Sequence, residues 1–106
     1  MFEVAELSFQ AIEALRPIVP RVRARNRSLA DQLERAETSV ALNIAEGDHS
    51  DPGNQRARFF TAKGSASESL AALRSAVCWG HVPEADAKPA RELLQRIVAI
   101  LWKLTH

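Results

Sequence analysis

Apolar residues recur at three- and four-residue intervals along most of the chain, and no stretch alternates residue by residue as a half-buried strand does. Val4, Leu7, Ala11, Leu15, Ile18 and Val22 make one such row, and Leu29, Leu33, Ala36, Val40 and Ile44 a second. The third is Phe59, Lys63, Ala66, Leu70, Leu73 and Val77, broken only by Lys63. Over 93–104 the polar residues are Gln95, Arg96 and Lys103, so the last row is apolar on more than one side. Glycine and proline cluster around 17–20, 47–53 and 80–83. This pattern predicts four helices, over about 2–25, 28–47, 54–79 and 86–104. Short connections make neighbouring helices antiparallel. The expected fold is therefore all-α, an up-down-up-down four-helix bundle forming one domain over 1–106. Leu33, Val40, Ile44, Leu70, Leu73, Val77, Ile97 and Leu101 are its expected core.

Local signals refine the boundaries. Pro17 and Pro20 either kink the first helix or stop it near Arg16, and the row continuing past both favours a kink. Asn26 or Ser28 can cap the second helix. Gly47 is placed to end it as a left-handed cap residue. The small residues Gly64, Ser65, Ala66 and Ser67 predict that another helix approaches the third closely.

Composition narrows the function classes. The chain has 106 residues, 46% of them hydrophobic, with 14 Lys and Arg against 13 Asp and Glu, for a net charge of +1. That excludes a globally basic nucleic-acid binder, though a local patch remains. Between 16 and 35, six arginines face only Asp31 and Glu34. Arg21, Arg23, Arg25 and Arg27 are the candidate phosphate contacts within that stretch. No aromatic residue is interleaved for base stacking. With one cysteine there is no intramolecular disulfide, which fits a reducing, cytoplasmic setting. No run of 18 apolar residues and no basic segment leading into an apolar run is present, so neither a membrane span nor a secretory signal is expected.

No residue pattern points to catalysis. There is no phosphate loop, nucleophile elbow or paired metal-ligand spacing. His49 beside Asp51, and the lone Cys78, have no matching partners, so no enzyme activity, metal or cofactor is expected. Asn43 and Glu46 share a helix face, where Asn43 is expected to bond across the bundle and Glu46 to pair with Arg56 or Arg58. In the last helix Ile97, Ile100, Leu101 and Leu104 fill the bundle face. Leu94, Val98 and Trp102 are left on a flank, as an expected subunit interface.

Gln32, Leu33, Arg35 and Ala36, followed by Ser39, Val40, Asn43, Ile44, Ala45, Glu46 and Gly47, form an extended motif. A second motif is Phe59-Phe60, then Gly64-Ser65-Ala66-Ser67-Glu68. On these the chain resembles the four helix bundle proteins also called the 23S rRNA-intervening-sequence or S23 family, and the likeness covers nearly its whole length. The resemblance implies a four-helix up-down bundle that assembles as a homopentamer. It also implies a relation to the accessory variability proteins of diversity-generating retroelements, which are basic, bind nucleic acid and a reverse transcriptase. Asp48, His49, Ser50 and Asp51 stand where basic residues often follow the motif in the family. Two readings result: a non-enzymatic oligomeric module that docks protein, or an RNA- or DNA-binding accessory protein using the arginine cluster.

Overall fold

Five α-helices account for nearly all of residues 3–106, which the computed structural model describes: α1 Glu3–Leu15, α2 Val19–Arg23, α3 Arg27–Asp48, α4 Pro52–Cys78 and α5 Glu84–Thr105. No strand occurs among the described residues. Phe2, the expected first residue of the first helix, lies outside them. The molecule measures 42 × 22 × 20 Å. At about 1.5 Å per residue, α4 alone spans roughly its long axis. Contacts run from α3 to α4, α4 to α5, α5 to α1, and from α1 and α2 back to α3, a circuit around one apolar core.

The helix expected over 2–25 is broken, not kinked. Pro17 has no N–H to donate, and α1 stops two residues before it. Pro20 sits in the first turn of α2, where a missing donor is harmless. The apolar row nevertheless continues, with Leu15, Ile18, Val19 and Val22 all buried. Ile18 keeps helix-like dihedrals (φ −84°, ψ −46°), so the turn advances the chain with little change of face. Asn26 caps α3, its side chain accepting the Leu29 N–H at 3.0 Å. Asp51 caps α4 in the same way, accepting from Asn54 N–H at 3.0 Å, with Pro52 as the first helical residue. The connection between α3 and α4 is thus only 49–51.

Gly47 is not a left-handed cap. It lies inside α3, which runs on to Asp48, and Gly80 is the glycine with positive φ (+78°). Gly80 closes α4: its N–H donates to the Val77 carbonyl at 2.9 Å, and the next N–H, of His81, donates to Ala76 at 2.8 Å. Buried Val82 follows as the apolar anchor of that cap. The role of Gly47 is close approach. A Cβ there would stand 2.6 Å from Phe59 Cε1 and 3.2 Å from Arg58 Cβ.

The buried face of α4 is also rotated from the expected row. Phe59, Ala62, Ala66, Ser69, Ala72, Leu73 and Ala76 face inward. Leu70 and Val77 are half-buried, lining an open cleft of about 560 Å³ between α4 and α5. Gly64 is exposed, with nothing near its missing Cβ, so the close neighbours of α3 are the small residues on either side of it. The other expected core residues, Leu33, Val40, Ile44, Leu73, Ile97 and Leu101, are buried. On α5 the buried row is Ala87, Ala90, Leu94, Ile97, Leu101 and Thr105. Leu94 is therefore a core residue, Val98 is half-buried, and Leu104, expected inside, is exposed. The alanines at 87 and 90 continue this row toward the helix start, and a reading weighted to bulky residues passes over them.

Gly47→Ala separates close approach from helix propensity. Alanine gains about 1 kcal/mol in a helix interior. Overpacking against the buried Phe59 ring costs about 1–3 kcal/mol. The expected result in urea denaturation is net destabilisation, relieved when Phe59→Leu is added. A stabilised single variant would show that the helices have room to spare there.

Candidate interaction surfaces

The motif residues of α3 line its seam with α4. Gln32 donates to Glu68 (3.3 Å), Ser39 and Ser65 share a hydrogen bond (3.0 Å), and Gln55 donates to the Gly47 carbonyl (3.1 Å). Asn43 donates to the Ser39 carbonyl at 2.9 Å and accepts from Arg58 at 3.5 Å, while Glu46 pairs with Arg58 at 2.9 Å. Partner numbers fall along α4 as they rise along α3, so these two helices run in opposite directions. Asn43, Glu46 and Gly47 thus fix one helix on the other.

The arginine cluster does not form one free basic face. Arg21 pairs with Asp86 of α5 at 2.8 Å. Arg23 donates to Asp31 and also to Glu34 (3.2 Å). The Arg23 hydrogen bond holds the Asp31 carboxyl below its usual range. Arg25 and Arg27 are exposed and make no ion pair among the described residues. The helix break sets this division, because it brings α2 against the start of α5 and against α3.

An aromatic cluster covers the end of the α4–α5 pair. Trp102 is 54% exposed and Phe60 56%. His106 stacks on Trp102, ring centres 3.5 Å apart, and lies 6.4 Å from Phe60. Lys63 Nζ sits over both rings, 4.4 Å from the centre of Phe60 and 4.8 Å from that of Trp102. Such contacts contribute about 0.5–1 kcal/mol each at exposed sites. Of the flank residues expected from sequence, Trp102 alone reaches this surface. Phe60 and Lys63 were expected on the apolar face of this helix, and the structure instead leaves Phe60 exposed and Lys63 half-buried beside it.

The residue that charge patterning passes over is Glu37. It is 2% exposed, in the middle of α3, and neither carboxyl oxygen has a hydrogen-bond partner. It lines a cavity of about 400 Å³ between α3 and the α1–α2 break. Burial alone pushes its carboxyl up from 4.5 to about 8. Among the described residues no three His, Cys, Asp or Glu side chains group as metal ligands, and no helix is long and apolar enough to cross a membrane.

Residues 2–103 match the family described as 23S rRNA-intervening sequence protein. Neither a curated protein nor a solved structure gives a significant match.

The position of Glu37 sets a pH dependence. The fold favours the protonated carboxyl, so its contribution is intact below pH 4.5 and is lost as pH rises through about 8. Glu37→Gln is expected to match the natural protein near pH 4 and to exceed it by about 3–5 kcal/mol at pH 9. Urea denaturation at pH 4, 7 and 9 measures this. A difference that does not vary with pH would place the carboxyl in water.

Proposed function

The chain belongs to the 23S rRNA-intervening sequence protein family, and from that premise we propose that it is a non-enzymatic assembly module. In this reading α1 and α2 together form the first rod of an antiparallel up-down-up-down bundle, and copies of the bundle join in a closed ring of five. The observation that carries it is the pair of exposed aromatic side chains Phe60 and Trp102 on neighbouring helices. Water-facing aromatics of this size are the usual content of subunit contacts. Trp102 and Leu104 are about 200° apart around α5. Trp102 meets the α4 side. Leu104 faces the opposite flank, where Arg96 pairs with Glu3 of α1 at 2.9 Å. Two distinct apolar surfaces on one copy suit a head-to-tail contact, the kind that closes rings. Leu94 and Val98, inside or half inside the bundle, give way to Phe60 and Leu104 in this interface.

Light scattering at low micromolar concentration is expected to give about five times the 11.7 kDa chain mass. Phe60→Glu with Trp102→Glu should shift the population to monomers, because a charge buried without a partner is strongly unfavourable. A monomeric natural protein overturns the reading, and a mass of twice the chain replaces the ring with a dimer.

A second reading, nucleic-acid binding, rests on Arg25 and Arg27, exposed and without ion pairs among the described residues, with Arg16 and Arg35 exposed nearby. Five copies would repeat that patch around a ring and raise avidity. RNA retention that weakens steeply with salt, and is lost in Arg25→Glu with Arg27→Glu, would favour it. No retention at low salt rejects it.

A further inference from the structure

The cavity beside Glu37 has a place in the fold that explains its existence. It lies where the break between α1 and α2 crosses the middle of α3. The walls are Ile12, Leu15, Val19 and Pro20 on one side and Thr38 and Glu37 on the other. At about 400 Å³ it falls within the size range of small-molecule sites. Most of its wall is hydrocarbon; Glu37 lines it with its carboxyl oxygens shielded from solvent, and neither oxygen has a protein partner.

We propose that this cavity binds a small organic cation, an amidinium or guanidinium head on a short apolar body, with Glu37 as its counter-ion. A planar fork of N–H donors matches the two oxygens of a carboxylate and satisfies both at once. The three side-chain torsions of glutamate let the oxygens turn toward the open space. The apolar walls then take the body of the ligand. Three other charged groups face this cavity: Arg16 from the turn, Arg23 from α2 and Glu34 from α3. Arg23 is held by Asp31 and Glu34, and neither arginine reaches the Glu37 oxygens. Burial favours the protonated form of the Glu37 carboxyl at neutral pH. Forming the ion pair therefore transfers that proton from Glu37 to the buffer as the cation enters.

Calorimetry with benzamidine as the probe, and neutral benzamide as its isostere, tests this on the whole chain. Benzamidine is expected to bind at pH 7 and benzamide not to. The heat should vary with the ionisation enthalpy of the buffer by an amount equal to nearly one proton released per ligand. Affinity should rise roughly tenfold or more between pH 6 and pH 8, as the proton competes less. Glu37→Gln, of nearly equal volume, should lose roughly tenfold or more in affinity. Ile12→Trp, which narrows the cavity and leaves Glu37 in place, should weaken the same probe. Absence of benzamidine binding, equal binding of benzamide, or full binding by either variant overturns the proposal.

Discussion

The close contact between α3 and α4 at Gly47 and Phe59 is the constraint on which the arrangement turns. With no Cβ at 47, the buried Phe59 ring lies directly on the α3 backbone. That contact fixes how α4 is rotated about its own axis. Ala62, Ala66 and Ser69 then follow Phe59 inward, small enough to keep the axes close. The polar bonds from Gln32 to Glu68 and from Ser39 to Ser65 extend the same register toward the other end. With Phe59 inward, Phe60 stands about 100° further round the helix, on its exposed side. The exposed aromatic cluster is thus a by-product of the buried contact, and the surface offered to other molecules is set by packing on the far side of the same helix.

Much of this arrangement is legible in the sequence. The rows of α1 and α3, the breaks near 17–20, 47–53 and 80–83, and the all-helical character follow from apolar spacing, and the spacing is honoured. The errors have physical causes. On α4 the bulky residues at 70 and 77 drew the expected face toward a cleft, whereas the seam is built from alanine and serine, which carry little hydrophobic signal. Gly47 and Gly80 are each followed by a polar residue, Asp48 and His81, and only tertiary contact separates a glycine that needs positive φ from one that needs an absent side chain. The proline break depended on whether a row could persist across a turn, which helix-like dihedrals at Ile18 allow.

The charged residues were the least legible. Arg21 meets Asp86, 65 positions away along the chain, and no local pattern marks that pair. Arg23 is neutralised by two acids whose positions were evident but whose reach was not. Glu37 reads as one more solvated position on a helix because charged side chains are nearly always outside. Its burial follows from the crowding of α1 and α2 over the middle of α3, a feature of the tertiary fold alone.

The broken first rod also has a bearing on the order in which the chain folds. The hairpin of α3 and α4 closes over only three residues, 49–51, and its contacts zip up outward from that turn, so its assembly has little loop entropy to overcome. By contrast, α2 has five residues, too few to persist as a helix by itself. It gains its order only by docking on α3 and α5. The segment around α2 is thus the natural place for partial opening within an otherwise intact native state. Opening there would expose Glu37 to water while the α3–α4 seam stays closed, and ionisation of the carboxyl would favour the open form. A single buried acid thereby couples the breathing of one corner of the molecule to the proton concentration outside it.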